Sequence, residues 1–400
     1  MHIRSPILPL FTALALSCHH EPDATPPASP GVPAATSPAA SPTAARSDSE
    51  VALSAQVLAS LRHRGLAAHT VELTLRPGLQ AAADEVVTEL ATAPDAVSAS
   101  LVALDPSTGE IVALSGRTGA SLDVSLAARQ VATPGSVMKS FSVAAALDLG
   151  RVTTSRTFDG PGSLTIAGGT IRDQQAHAPM TVGDILAFSS NVGAAQVGQA
   201  IGPEALAAAY HRLGFGEAPG VELDDVAAGS LPAASDWTPL VTARIASGGE
   251  ARVSPLQVAA AFATIASGGT YRSPTLVRRA LREDGTALTL PGRRTERVLR
   301  DETARTMIEL LEGVVQRDDA TGTQARITGQ RVAGKTGTMP LTIDGREGAH
   351  ASFVGVVTSR SPRLVVMVTV DTTRAGYTGG TVAAPAFQAF AARAISPSSP

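Results

Sequence analysis

Short apolar and β-branched segments lie near both ends of the folding part of this chain, and helical patterns occupy the middle. Residues 99–104 and 110–114 flank a turn-forming sequence at 105–109, while 352–357 and 364–370 form a second pair near the C-terminus. Short runs bounded by Asp, Pro and Gly are typical of strands. Strands at both ends with helices between them favour an α+β fold, in which one antiparallel sheet is flanked by helices.

Apolar residues recur at helical spacing along most of the remaining chain. The predicted helices cover residues 51–63, 80–90, 136–149, 182–188, 192–201, 257–265, 303–316 and 384–394. Gly150 ends the helix that begins at Ser136, because glycine is common directly after a helix. One further strand is predicted at 71–75.

The composition excludes several kinds of site. Of the 400 residues, 44% are hydrophobic, so the chain can bury a large core. A net charge of −3 and an aromatic content of 3% provide neither the basic field nor the stacking surface of a nucleic-acid-binding protein. Cys18 is the single cysteine, so no disulfide and no cysteine-based metal site can form within the chain. No His-Glu-x-x-His run occurs either, so a metalloenzyme is not supported. We expect no metal, no cofactor and no nucleic-acid partner.

Residues 1–18 have the pattern of an export signal. His2 and Arg4 precede an apolar run at 7–16 that is too short to span a bilayer. Small residues before Cys18 resemble a bacterial lipoprotein cleavage site, after which the mature cysteine carries lipid. An ordinary signal peptide is the alternative, and the lack of any other cysteine favours lipidation. We expect an exported, extracytoplasmic protein that a lipid anchors to the membrane.

The composition changes after this signal. Residues 19–50 are rich in Pro, Ala, Ser and Thr, and such a segment buries too little apolar surface to offset its ordering entropy. We interpret it as a disordered tether. A short helical segment is predicted at 51–70, and the folded domain is predicted at 71–396.

Lysine and asparagine are rare in this chain. Thirty of the 32 basic residues are arginine, and the two lysines are Lys139 and Lys335. Asn191 is the single asparagine. Arginine keeps its proton in proteins, whereas a buried lysine can lose its proton and act as a base. All three residues lie in short polar motifs, which are therefore candidates for chemistry.

The first motif is Ser-x-x-Lys, formed by Ser136 and Lys139 after a Pro-Gly turn. Lys139 lies three residues after Ser136 on the same face of the predicted helix. A serine hydroxyl is a poor nucleophile until a base takes its proton, and burial can make Lys139 such a base. Taken alone, this spacing is more often a surface Ser and Lys. We identify Ser136 as the candidate nucleophile and Lys139 as the candidate base.

The second motif, Ser189-Ser190-Asn191, separates two predicted helices. Ser189 is a candidate for relaying a proton between Lys139 and the leaving group. Asn191 is a candidate for a hydrogen bond to a substrate amide. The alternative is a polar helix cap, which uses the same residue types.

The third motif is Gly-Lys-Thr-Gly-Thr at 334–338, which we interpret as an edge strand beside the nucleophile helix. Glycine in a strand lets a ligand backbone approach closely. Lys335 supplies positive charge, and Thr336 supplies a hydroxyl for a substrate carboxylate. The backbone N–H groups of Ser136 and Thr338 are candidates for an oxyanion hole.

A phosphate-binding loop is the alternative for this segment, because Gly329–Thr336 formally matches its pattern. The helix that must follow such a loop is missing, since Gly337 and Pro340 interrupt the stretch. The candidate substrate-binding residues are therefore Lys335, Thr336, Gly337 and Thr338.

Ser-x-x-Lys, Ser-x-Asn and Lys-Thr-Gly in this order resemble the motif set of penicillin-binding proteins and serine β-lactamases. The similarity extends over about residues 71–392 and favours the class B type of transpeptidase domain. It implies that Ser136 attacks the D-Ala-D-Ala carbonyl of a peptidoglycan stem peptide. The acyl group then passes to a neighbouring amine or to water, and β-lactams acylate the same serine.

Several other functions share parts of this pattern. A D,D-carboxypeptidase or endopeptidase differs only in what accepts the acyl group. A class D-like β-lactamase generally lacks the asparagine of the second motif, and a non-catalytic β-lactam sensor carries transmembrane helices. A Ser-His-Asp hydrolase would require a Gly-x-Ser-x-Gly elbow, which does not occur.

Overall fold

A computed structural model describes residues 46–359, 363–374 and 376–396. Within these ranges the helices are α1 (Asp48–His63), α2 (Pro77–Ala91), α3 (Leu126–Arg129), α4 (Lys139–Asp148), α5 (Val182–Phe188), α6 (Asn191–Ile201), α7 (Pro203–Arg212), α8 (Pro239–Ser247), α9 (Pro255–Ala266), α10 (Asp301–Gln316) and α11 (Ala384–Ile395). The strands are β1 (Thr70–Leu73), β2 (Ala96–Leu104), β3 (Ile111–Thr118), β4 (Ser121–Leu122), β5 (Phe158–Gly160), β6 (Ser163–Ile166), β7 (Gly169–Arg172), β8 (His177–Met180), β9 (Thr270–Arg272), β10 (Val277–Leu281), β11 (Thr295–Arg297), β12 (Val332–Ile343), β13 (Arg346–Val357) and β14 (Val365–Thr372).

The main sheet has six antiparallel strands in the order β12-β13-β14-β2-β3-β4. The pairing of β14 with β2, for example Thr369 opposite Ser100, joins the two ends of the domain. This confirms the predicted antiparallel sheet. Strand β12, which carries the Lys-Thr-Gly motif, is an edge strand as predicted.

Both faces of the sheet are covered, so most side chains of its central strands are apolar and buried. Leu101 and Ala103 belong to the core on one face, with Phe387 and Phe390 of α11. Val102 and Leu104 belong to the core on the opposite face, with Phe262 of α9. Successive side chains of a strand point to opposite faces, which explains this alternation. Every residue of α9 is buried, because the helix lies between the sheet and the other helices.

Some boundaries differ from the predicted ones. Helix α1 begins at Asp48, inside the range predicted as tether, because the Ser47 hydroxyl accepts a hydrogen bond from the Glu50 N–H and caps the helix. The predicted helix at Ser136 begins as a 3₁₀ turn, Gly135–Met138, and is α-helical only from Lys139. Helices α7 and α8 were not predicted, although each has proline in its first turn, a common helix start.

The predicted signal at 1–18, Cys18 and most of the tether lie outside the described residues. In the part of the chain that the structure describes, no helix combines the length and apolarity needed to cross a membrane.

Candidate active site

A cleft of about 870 Å³ lies where β12, the 3₁₀ turn at Ser136, and the junction between α5 and α6 meet. The hairpin of β6 and β7 contributes a further part of its lining. Five of the candidate residues line the cleft: Ser136, Ser189, Asn191, Thr336 and Thr338. Lys139 and Lys335 are fully buried and reach the site from within the protein. The structure thus brings together all three polar motifs.

Gly135 shapes the turn that presents Ser136. Its φ of +61° is a conformation that side-chain-bearing residues rarely adopt. A Cβ at this position would lie 3.1 Å from the Thr338 carbonyl oxygen and 2.9 Å from the Met339 side chain. The Gly135 N–H donates to the Gly248 carbonyl at 3.1 Å. Glycine therefore lets the turn pack directly against β12.

Lys139 connects the first motif to the second. Its Nζ lies 2.6 Å from Ser136 Oγ and 2.7 Å from Asn191 Oδ1. It also lies 3.0 Å from the Ser189 carbonyl and 3.4 Å from Ser189 Oγ. Burial lowers the pKa of Lys139 to about 7, while the charge of Asp173 acts in the opposite direction. A substantial neutral fraction near pH 7 gives Lys139 the capacity to take the Ser136 proton.

Ser189 has an unusual backbone conformation. It ends α5 with φ +60° and ψ 36°, in the left-handed region that non-glycine residues seldom occupy. The next residue, Ser190, is the N-cap of α6, and its hydroxyl accepts from the Gly193 N–H at 2.9 Å. The chain thus reverses between two helices at one residue. Both the carbonyl and the hydroxyl of Ser189 lie within hydrogen-bond distance of Lys139 as a result.

Lys335, on strand β12, also contacts the Ser189 hydroxyl. Its Nζ lies 3.0 Å from Ser189 Oγ and 3.2 Å from the Thr336 carbonyl. Burial, and then the charge of Lys139, hold the pKa of Lys335 well below its ordinary value. A ligand carboxylate beside Thr336 would raise that pKa and favour the charged ammonium.

Strand β12 packs against the Ser136 turn at Gly337. A Cβ at Gly337 would lie 2.4 Å from Ser352 Oγ and 2.7 Å from the Pro134 carbonyl oxygen. The neighbouring Thr338 hydroxyl accepts from the Gly379 N–H at 3.0 Å, which attaches the loop before α11 to this strand. Thr338 and Ser136 line the same cleft, and the oxyanion hole of their N–H groups stays a prediction.

Asp173 and Thr321 are among the polar residues of the cleft that sequence reasoning missed, and both contact candidate residues. Asp173 follows β7 and accepts hydrogen bonds from the backbone N–H groups of Asn191 and Val192. Thr321 accepts from the Thr336 hydroxyl at 3.0 Å. The alternating pattern around the Gly168-Gly169 turn could have indicated the hairpin, and hence an acid at its end. Thr321 lies in a loop that has no comparable signal.

The described ranges hold no cluster of three or more His, Cys, Asp or Glu side chains arranged to bind a metal ion.

A family model for the penicillin-binding protein transpeptidase domain matches residues 99–392, about three quarters of the chain. The chain belongs to the penicillin-binding protein transpeptidase family. Among its relatives, the penicillin-binding protein PbpB of Mycolicibacterium smegmatis is 30% identical over 356 residues, which cover 82% of this chain and 55% of the relative. The peptidoglycan D,D-transpeptidase FtsI of Escherichia coli is 30% identical over 340 residues, which cover 81% and 55%. The chain thus spans about half the length of these curated relatives.

Solved structures of penicillin-binding proteins share the fold. The apo form of penicillin-binding protein 3 from Mycobacterium tuberculosis has a TM-score of 0.75 at 28% identity, covering 83% of this chain and 82% of that one. The transpeptidase domain of penicillin-binding protein 3 from Burkholderia pseudomallei has a TM-score of 0.70 at 30% identity, covering 82% and 98%. The α+β fold expected from the resemblance is thereby confirmed.

Proposed function

We propose that this chain is a penicillin-binding D,D-transpeptidase that acts on peptidoglycan stem peptides through an acyl-enzyme on Ser136. The observation that carries the proposal is the position of Lys139 Nζ, 2.6 Å from Ser136 Oγ and 2.7 Å from Asn191 Oδ1, together with its lowered pKa. A nucleophile and its base at this distance are the minimum for activating a serine. The relatives named peptidoglycan D,D-transpeptidases, and a related structure named as a complex with aztreonam, support the substrate class.

Acylation begins when Ser136 Oγ attacks the carbonyl carbon of the penultimate D-Ala and Lys139 takes the hydroxyl proton. The N–H groups of Ser136 and Thr338 stabilise the oxyanion that forms. The C–N bond then breaks, and the departing amine of the terminal D-Ala receives a proton from Lys139 through Ser189. This leaves an ester between Ser136 and the stem peptide.

Deacylation reverses these roles. An amine of a second stem peptide attacks the ester carbonyl, loses a proton to the Lys139–Ser189 pair and forms a new amide. Ser136 leaves with a proton, so the enzyme returns to its starting state. Lys335 and Thr336 hold the terminal carboxylate of the donor, and the carboxylate of a β-lactam occupies the same place.

Labelling of the full chain with a fluorescent penicillin tests the proposal, with Ser136→Ala as the control. We expect a covalent adduct that persists for hours and is absent from the variant. Rapid loss of the adduct with antibiotic turnover would favour the β-lactamase alternative. The absence of any adduct on the unaltered protein would overturn the proposal.

A second assay separates transpeptidation from its hydrolytic alternatives. A synthetic stem peptide is incubated with and without an acceptor amine, and the products are identified by mass. A new amide between donor and acceptor supports transpeptidation, whereas D-Ala release with water alone supports a carboxypeptidase. Cleavage of a cross-linked dimer supports an endopeptidase, and binding without turnover supports a sensor.

We also propose that the protein is exported and lipidated at Cys18. The apolar run at 7–16 and the single cysteine support this location. Growth with a labelled fatty acid should label the unaltered protein and not Cys18→Ser, and the variant should leave the membrane fraction. Equal labelling of both proteins would contradict the proposal.

A further inference from the structure

Arg172 is the last residue of β7, and it lies at the edge of the cleft. The residue before it, Ile171, is buried together with Val192 of α6 and Ala243 of α8. Successive side chains of a strand point to opposite faces, so the burial of Ile171 directs the Arg172 side chain away from this small core. Arg172 is exposed and contributes to the lining of the cleft. The hairpin therefore presents a solvated cation to any ligand that enters.

The cleft is lined by two carboxylates and two arginines, which are Arg172, Asp173, Arg244 and Asp319. Both carboxylates already have partners. Asp173 accepts a hydrogen bond from the Ser190 hydroxyl at 2.6 Å. Asp319 accepts two hydrogen bonds from the Arg317 guanidinium, at 3.0 and 3.1 Å. Neither carboxylate is therefore available to neutralise a cleft arginine.

The two arginines of the cleft differ in their contacts. Arg244 Nη1 lies 3.2 Å from a carboxylate oxygen of Glu250. Among the residues that the structure describes, no acidic side chain pairs with the Arg172 guanidinium, and the contact of Arg172 with Asn191 uses the backbone carbonyl. A guanidinium without a partner can form two parallel hydrogen bonds with a carboxylate. Arg172 thus provides the cleft with a free site for an anionic group.

The position of Arg172 beside Asn191 indicates which part of a ligand it meets. The Arg172 carbonyl accepts a hydrogen bond from Asn191 Nδ2 at 2.8 Å, so the two residues are adjacent. Asn191 is our candidate for a hydrogen bond to a substrate amide, and the terminal carboxylate of the donor is assigned to Lys335 and Thr336 on β12. A second carboxylate, near Arg172, would then belong to the residue that precedes the D-Ala pair.

We propose that Arg172 binds a side-chain carboxylate of the donor stem peptide, on the residue that precedes the D-Ala pair. The inference rests on the proposed function and narrows its substrate class. Stem peptides that carry this carboxylate are preferred over those whose corresponding side chain ends in an amine or an amide. The preference is moderate, because an ion pair at an exposed arginine is weakened by solvent.

Two penicillins that differ by one carboxylate test the proposal. Carbenicillin carries a carboxylate on the side-chain carbon where benzylpenicillin carries a hydrogen. The second-order rate of acylation of the full chain is measured with each penicillin by intact-protein mass. The ratio of the carbenicillin rate to the benzylpenicillin rate should fall by about twofold to fivefold in Arg172→Gln, as expected for an exposed ion pair. Arg172→Glu repels the carboxylate, so the ratio should fall further, by about tenfold.

The ratio separates specificity from damage to the site. Both substitutions retain the backbone carbonyl that contacts Asn191, and a general disturbance would slow both penicillins together. Arg305→Gln is the matched control, because it removes the same charge from an exposed position on α10 outside the cleft. Its ratio should equal that of the unaltered protein. High salt should lower the ratio of the unaltered protein towards that of Arg172→Gln, since salt screens exposed charges.

Stem peptides test the same preference on the proposed substrate. Two synthetic donors are compared, in which the residue before the D-Ala pair ends in a carboxylate or in the corresponding amide. The unaltered protein should release D-Ala from the carboxylate donor with the higher kcat/KM, and Arg172→Gln should reduce that difference. An effect confined to the transfer step, with equal rates of acylation, would place the carboxylate on the acceptor and overturn the proposal.

A penicillin ratio in Arg172→Gln equal to that of the unaltered protein would also overturn it, as would an equal fall in Arg305→Gln. Failure of the proposed function itself is distinguishable, because the unaltered protein would then be acylated by neither penicillin.

Discussion

The two walls of the cleft hold their polar side chains by different means. On one wall, Ser189 and Asn191 lie at a junction of two helices that depends on individual caps, one left-handed residue and a carboxylate from a hairpin. On the other wall, the Lys-Thr-Gly motif lies in β12, which pairs with β13 over all of its twelve residues without a bulge. In a strand ladder, the hydrogen bonds of neighbouring residues help to hold each residue in place. At a junction of helices, the loss of one hydrogen bond can change the local backbone geometry.

This difference corresponds to the chemistry that we propose for each wall. The proposed proton carriers contact the junction, whose geometry depends on individual caps. The positive charge and the hydroxyl proposed for a carboxylate lie on the strand, whose residues are all paired with β13. We therefore expect the junction to be sensitive to polar substitutions and the strand wall to be sensitive to added volume.

The largest expected difference in acylation rate is between variants of the two lysines. Lys139→Arg should reduce acylation by roughly a thousandfold or more, because arginine cannot lose its proton and the general base is gone. Lys335→Arg keeps a positive charge and should reduce the rate by only about tenfold to a hundredfold. Penicillin labelling of both variants measures this, and equal losses would show that the two lysines have the same role.

Replacing one glycine on each wall by alanine tests how much added side-chain volume that wall tolerates. A Cβ at Gly337 meets the Pro134 backbone at 2.7 Å, whereas a Cβ at Gly193 in α6 meets side-chain atoms, Ile185 Cγ1 at 2.5 Å and Cδ1 at 2.7 Å. A side chain rearranges more readily than the backbone beside Ser136, so Gly337→Ala should slow acylation by about tenfold or more and Gly193→Ala by less. A larger loss in Gly193→Ala would reverse our view of which wall is rigid.

The pH dependence of acylation tests whether Lys139, which contacts the junction, is the general base. With the pKa of Lys139 at about 7, acylation should slow as the pH falls below 7, approaching about tenfold per unit. The rate falls at low pH because only the neutral amine of Lys139 accepts the Ser136 proton. Rates measured from pH 5 to 9 on folded protein check this expectation, and a rate independent of pH across that range would exclude Lys139 as the base.

The smallest expected difference is in stability, between two variants of Ser189 that separate backbone strain from chemistry. Ser189→Ala and Ser189→Gly both remove the hydroxyl, so both should slow acylation to the same extent. Glycine tolerates the φ of +60°, and the Gly variant should be more stable than the Ala variant by about 1 kcal/mol. Thermal melting measures the difference, and equal stabilities would mean that the left-handed conformation is not strained.

The sequence alone was sufficient to predict what depends on local pattern. Short β-branched runs at both ends of the domain predicted an antiparallel sheet, and α5 and α6 were predicted to break at Ser189-Ser190-Asn191. The rarity of lysine and asparagine directed attention to Lys139, Lys335 and Asn191. In the structure Lys139 contacts Asn191, and both lysines lie within hydrogen-bond distance of the Ser189 hydroxyl.

Only the tertiary structure decided which distant segments supply the remaining contacts of the site. Asp173 reaches Asn191 from a hairpin, Thr321 reaches Thr336 from a loop, and Lys335 reaches Ser189 from 146 residues away. Periodicity shows which residues face a core, but it does not show which loops meet across a cleft. Those meetings depend on the packing of the whole domain, and the burial that lowers the pKa of Lys139 depends on the same packing.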